Sequence, residues 1–331
     1  VQGPEGPPGP AQGDARESRM LELPDEVLYY HTCYKKERSG NRLLYNRFPN
    51  TGSTVLQKFL ASRELSGQHF HSLRTVSDAP LNGTLEWVRW YRGGLDFGAS
   101  VIQGIGPGHF VDFAHWGLPK PMYMTVLRDP AERLVDQYMH NSATCAAPGG
   151  PKPLASLSRC AGQLHCRACL LQMSSIVPRL LLPVYDDSSL PSVLNATDLA
   201  AARRVLRQEY LVVMPARDLA LGWELFECLV GRRFAGIAKR WRTSQAREDW
   251  KGSTFASEDL AAARRIAEES GEQGVYDEAM WRFCGMWYMA SVHMDCGGIE
   301  RVGLPPTCQR FAPPPGFGLL APAEGNGGLA T

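Results

Sequence analysis

The sequence predicts an α/β fold, a mainly parallel sheet flanked by helices within one large domain. Three observations predict it. Short apolar runs of strand type alternate with helix-patterned segments between residues 42 and 293. Glycine, proline and asparagine stand at the joints, as at Pro49-Asn50-Thr51-Gly52 and Asp129-Pro130. A chain of 331 residues with 44% hydrophobic content is also enough to fill a core of that size.

Taken in order, Arg42 to Phe48 reads as a strand, and Pro49 to Gly52 breaks it. Ser53 to Leu65 then has helical spacing at Val55, Leu56, Phe59 and Leu60. Residues 68–76 form a candidate second strand, 84–92 a short helix, and Ala99 to Gln103 a third strand before a glycine-rich turn. Met122 to Leu127 is a strand buried on both faces, ending at Arg128-Asp129-Pro130. Pro130 suits the first turn of a helix that continues from Ala131 to Met139. Ala201 to Glu209 reads as helix, Tyr210 to Met214 as strand and Leu219 to Val230 as helix. Two further helices, at 256–269 and 274–293, close the order. No internal repeat is visible.

Composition separates the ends from the middle. Of 33 Gly and 24 Pro, 17 fall within residues 1–18 and 309–331, leaving an ordinary globular share between. The collagen-like triplets from Gly3 to Ala11 are too few for a triple helix, so residues 1–30 are expected to be a flexible stem. Residues 309–331, with Pro313-Pro314-Pro315-Gly316, are expected to be a disordered tail, leaving 31–308 as the domain. The chain begins with Val1, and the expectation is that an upstream anchor or signal has been trimmed. Within the chain no uninterrupted apolar run approaches the roughly 18–20 residues that span a bilayer. Lysine plus arginine (35) nearly cancels aspartate plus glutamate (34), which argues against a protein that coats nucleic acid through bulk charge.

Two N-glycosylation sequons, Asn82-Gly83-Thr84 and Asn195-Ala196-Thr197, add a weak signal for secretion. Nine cysteines add more. Cys160, Cys166 and Cys169 crowd together around His165, and one C-x2-C without a second pair favours a local disulfide over zinc. Buried free thiols are the third alternative.

Chemistry should gather at two strand–loop–helix corners. At Thr51-Gly52-Ser53-Thr54 the free N–H groups and dipole of a starting helix would converge on an anion, with hydroxyls as extra donors. An ordinary helix cap uses the same residues. No G-x-x-x-x-G-K-[ST] is present, which disfavours a nucleoside triphosphatase. The second corner puts Arg128 at the carboxyl edge of its strand, where open α/β sheets bind ligands. Its fork of donors suits phosphate or carboxylate, and the competing role is a salt bridge to Asp129 or Glu132. Further on, Arg232, Arg233, Lys239, Arg240, Arg242 and Arg247 fall within 16 residues with no acid between. That is either a solvated face or a surface for an acidic partner.

The segments Tyr45 to Thr54 and Val126 to Val135 resemble the two phosphate-binding motifs of the Golgi 2-O-sulfotransferases, the heparan sulfate and uronyl 2-sulfotransferase family. Between them, His109-Phe110-Val111-Asp112-Phe113-Ala114-His115-Trp116-Gly117 is similar to the family's central segment, and Glu209 to Val213 fits downstream. The resemblance runs from residue 42 to 245 in the right order. It implies a P-loop-like sulfotransferase fold. It also implies transfer of a sulfuryl group from 3′-phosphoadenosine 5′-phosphosulfate to the 2-hydroxyl of a uronic acid, in heparan or dermatan/chondroitin sulfate, without a metal. The family's 5′-phosphosulfate loop falls on Asn50, Thr51, Gly52, Ser53, Thr54 and Val55, and its 3′-phosphate site on Arg128 and Asp136. Arg47 matches a residue facing the acceptor, and a later nucleotide loop falls near Arg242 to Ser253. A Golgi-luminal enzyme, glycosylated, disulfide-bonded and in some members trimeric, is the corresponding expectation, with no nucleic acid as partner.

Three positions depart from the family. Asn50 stands where the family has a lysine against the bridging oxygen. A charged hydrogen bond contributes roughly 1 kcal/mol more than a neutral one, about tenfold in rate. Asp136 stands at a serine position. A carboxylate about 5 Å from a phosphate costs on the order of 3 kcal/mol at an effective dielectric near 20, unless Arg128 or Arg133 neutralises it. Ungapped counting puts the family's catalytic histidine on Pro107, while His109 stands two positions later. A two-residue deletion would make His109 the base, and a histidine suits that work near neutral pH. His115 and the pair His69 and His71 are weaker candidates, more in keeping with structural roles. The departures carry a second expectation, a catalytically weakened relative that binds a polyanion or a partner.

Overall fold

The computed structural model describes residues 43–60, 72–74, 88–89, 91–92, 101–103, 110–145, 156–183, 191, 193–230, 236–244, 246–247, 254–293 and 305–310. Among them, five strands form one sheet: β1 (Leu43–Tyr45), β2 (Ser72–Arg74), β3 (Val101–Gln103), β4 (Met122–Leu127) and β5 (Tyr210–Pro215). Their order is β2-β3-β1-β4-β5, and every pair is parallel. The expected parallel α/β architecture is therefore present.

The helices are α1 (Ser53–Leu60), α2 (Pro130–Asn141), α3 (Leu157–Ala161), α4 (Leu164–Ser174), α5 (Ile176–Leu180), α6 (Ala196–Glu209), α7 (Leu219–Val230), α8 (Ile237–Thr243), α9 (Ser257–Glu269) and α10 (Glu272–His293). Strands β1, β4 and β5 alternate their side chains between two apolar clusters. Leu43, Tyr45, Met124, Val126 and Met214 join Leu56 and Phe59 of α1, Trp223 of α7 and Trp241 of α8. Leu44, Tyr123, Leu127, Tyr210 and Val213 join Leu180 of α5 and Leu206 of α6 on the other face. A slip between Tyr123 and Met124 gives β5 one extra residue, Leu211, so the alternation resumes in step beyond it. α10 supplies Phe283 and Trp287 to the first cluster and Val275 and Met280 to the second.

A third cluster lies beside α2, built from Leu134 and Tyr138 with Leu157, Leu170 and Ile266. Helices α3, α4, α5 and α8 had no counterpart in the sequence reading. Disulfides Cys145–Cys169 and Cys160–Cys166 join α3, α4 and the 3-10 turn Ser142–Cys145, which resolves the cysteine cluster in favour of disulfides. Cys284–Cys308 fastens α10 to the 3-10 turn Pro306–Arg310, and Cys228 is disulfide-bonded as well. No helix among the described residues is long and apolar enough to cross a membrane.

Candidate functional site

Strand order fixes where the site lies. From β1 the chain leaves toward β2 and β3; from β4 it leaves the other way, toward β5. Adjacent strands whose connections diverge open a crevice beyond their carboxyl ends. Both corners singled out by sequence, 46–54 and 128–136, meet there.

The loop after β1 is fastened to β4 and, beyond it, to β5. Asn46 N–H donates to Met124 O at 2.9 Å, and Thr125 Oγ1 donates to Asn46 O at 2.8 Å. Asn46 Nδ2 donates to the buried Tyr210 hydroxyl at 2.6 Å. The chain then curls through two left-handed residues, Asn50 (φ 56°) and Gly52 (φ 79°). Asparagine is among the few side chains that tolerate this region, which fits Asn50 to its place. Thr51, fully buried between them, donates its hydroxyl to Phe48 O at 3.0 Å, so it closes the turn. Val55 and Leu56 return their N–H groups to Gly52 O, so the N–H groups ahead of Val55 precede the first helical bond. The first turn of α1 contains no acidic residue. Arg47 Nη2 donates to Thr54 Oγ1 at 3.0 Å, which spans the loop from its first residues to the helix.

The corner after β4 is built differently. Asp129 accepts from the N–H groups of Ala131 (3.0 Å) and Glu132 (3.3 Å), so the start of α2 is already capped by a carboxylate. Arg128 pairs through Nε with Glu132 at 3.4 Å and through Nη1 with Asp136 at 3.3 Å; its side chain is 14% exposed. Phe255 lies 5.5 Å from its guanidinium carbon. Glu132 also holds Arg217, and Asp136 lies 3.7 Å from His140 Nε2. Arg133 does not serve as a neutraliser of Asp136. It is fully buried and forms a fork with Glu272 at 2.6 and 2.7 Å, with Gln137 and the Met173 and Ser174 carbonyls taking further donors. Burial pushes the Glu272 carboxyl up, and Arg133 with Ser174 pulls it back.

The basic segment reaches the same neighbourhood through α8. Trp241 packs edge-on against Phe59 of α1 at 5.0 Å, and Glu227 accepts from Gly236 N and Ala238 N to start the helix. Lys239, Arg242 and Arg247 are exposed. Arg242 pairs with Glu224 of α7, an acid 18 residues away that inspection of the run itself misses. Burial raises the Glu224 carboxyl, and Arg242 lowers it.

His109 and Pro107 lie outside the described residues, as do His69, His71, Arg232, Arg233 and the Asn82 sequon. The segment following His109 is fixed: Phe110 N–H donates to Leu180 O at 2.7 Å, the Tyr123 hydroxyl donates to Val111 O, and Asp112 caps the turn Phe113–Trp116. His115 is exposed on that turn. Sequence inspection passed over Asn46, Thr125 and Tyr210, whose ties cross 79 and 164 residues of chain. Among the described residues no group of three or more His, Cys, Asp or Glu is placed to hold a metal.

No family model matches the chain. Heparan sulfate 2-O-sulfotransferase 1 of Gallus gallus is 33% identical over 101 residues, which are 29% of this chain and 28% of that protein. The Homo sapiens protein of that name matches over the same length at the same identity. A heparan sulfate 2-O-sulfotransferase of Caenorhabditis elegans is 27% identical over 114 residues, 30% of this chain and 32% of that protein. The chain thus spans under a third of the length of the curated relatives it matches. Over that stretch it is related to sulfotransferases, and its parallel sheet flanked by helices is consistent with their α/β fold.

Proposed function

We propose that this chain transfers a sulfuryl group from 3′-phosphoadenosine 5′-phosphosulfate to the 2-hydroxyl of a uronic acid in a sulfated glycosaminoglycan, heparan sulfate first and dermatan or chondroitin sulfate after it. The observation that carries the proposal is the pair of anion-seeking corners side by side at the β1–β4 crevice. In this reading the start of α1, with Asn50 to Val55, takes the 5′-phosphosulfate, and Arg128 takes the 3′-phosphate. Arg47 orients the acceptor. Arg242 and its exposed neighbours supply positive charge to both anions. His109 takes the acceptor's proton as its oxygen bonds to sulfur and the bond from sulfur to the bridging oxygen breaks, releasing adenosine 3′,5′-bisphosphate. Asn50 donates a neutral hydrogen bond to that oxygen. The same reading makes 31–308 the sulfotransferase domain between a stem (1–30) and a tail (309–331). It sets the protein in the Golgi lumen behind an N-terminal anchor, as a glycoprotein able to self-associate.

A second reading is favoured by Asn50 and by the carboxylates on Arg128: a weakened relative that holds a polyanion without transferring sulfate. Incubation with radiolabelled sulfate donor and desulfated heparan, dermatan and chondroitin chains separates the two. Label on a uronic acid supports transfer. No label on any acceptor, with adenosine 3′,5′-bisphosphate silent in calorimetry, removes it and leaves the polyanion reading.

A further inference from the structure

We infer that Asp136 is a latch on Arg128 that sets how strongly the second corner accepts a phosphate monoester. The inference rests on the nucleotide reading above and names the residue that decides its 3′-phosphate selectivity.

Arg128 is the cation at the carboxyl edge of β4, and its guanidinium already carries two carboxylates, Glu132 at 3.4 Å and Asp136 at 3.3 Å. Both are single, long contacts, beyond the roughly 2.7–2.9 Å of a strong charged hydrogen bond. Five residues on, Arg133 shows the fixed alternative, a fork to Glu272 at 2.6 and 2.7 Å with no exposed face. The Arg128 contacts are thus of a displaceable kind.

Each carboxylate also has a second partner. Glu132 holds Arg217, and Asp136 has His140 at 3.7 Å. A phosphate that displaces them from Arg128 therefore strands neither. Phe255 meanwhile lies against the guanidinium. What remains after displacement is repulsion between Asp136 and the incoming dianion, a penalty that a neutral side chain at position 136 lacks.

The test is calorimetric titration of the full chain with adenosine 3′,5′-bisphosphate and with adenosine 5′-monophosphate. The wild-type protein, Asp136→Ser and Asp136→Asn are compared. Asp136 sits at the surface of α2 with its side chain 23% exposed, so both variants should keep the wild-type melting temperature within a few degrees. The wild type is expected to prefer the bisphosphate by no more than about threefold, and both variants to widen that preference about tenfold while leaving the monophosphate within about twofold. An unchanged ratio in both variants overturns the latch, as does a wild type that already prefers the bisphosphate by about tenfold or more. If the monophosphate binds and the ratio stays put, the latch alone fails. If neither nucleotide binds any of the three proteins, the nucleotide reading fails and takes the latch with it.

Discussion

The two corners at the crevice share one plan and differ in how they treat charge. After β1, the loop is fastened by neutral hydrogen bonds that Asn46 donates to Met124 and Tyr210 and accepts from Thr125, and α1 begins with no acid in its first turn. After β4, the helix start is capped by Asp129, and Arg128 at the edge carries Glu132 and Asp136. The first corner therefore offers an incoming anion a helix start with no acid in its own first turn, whereas the second already answers its dipole with Asp129. The same motif plan gives one site ready for an anion and one that must first be cleared.

The largest effect should come from undermining the second corner. Removing Arg133 strands Glu272 in the core, so Arg133→Ala is expected to cost about 3–5 kcal/mol in urea denaturation. A variant within 1 kcal/mol of wild type would show that α2 is held by its apolar face alone. At the first corner, Thr51→Val keeps the shape and removes the buried hydroxyl from Phe48 O, for a loss of about 1–2 kcal/mol. Asp129→Ala should cost about 1 kcal/mol by uncapping α2, and it makes the corners alike. Its phosphate affinity, followed by calorimetry, should rise while stability falls. Smallest is Arg242→Ala: its partly exposed pair with Glu224 should change stability by less than about 1 kcal/mol. Its signature is weaker retention on a heparin column.

Both corners were readable because proline, glycine and an N-capping aspartate punctuate them, and Pro130 at the start of α2 falls where the sequence puts it. The start of α6 was also written in the chain, as the capping box of Asn195 and Asp198, five residues before the expected boundary. What the sequence concealed is long-range. Arg133 finds Glu272 across 139 residues, so its sequestration was invisible and its neighbour Arg128 looked no different. Helix α4 lacks a clean amphipathic stripe, and two disulfides stabilise it and α3 in place of periodic burial. The basic run seemed free of acids because Glu224 belongs to another helix. His109 rests on the resemblance, and it lies outside the described residues.

α10 has a consequence for the order of synthesis. All five described strands have been made once Pro215 is added, yet a helix that begins 57 residues later, at Glu272, places Val275 and Met280 on one face of the sheet and Phe283 and Trp287 on the other. It also brings the partner of Arg133. A nascent chain therefore carries all five described strands on a sheet that is only partly covered until α10 has been made, a period in which apolar strands invite pairing with other chains. Shortening that helix from its far end should reveal itself first as aggregation during expression, before any change in the crevice is measurable.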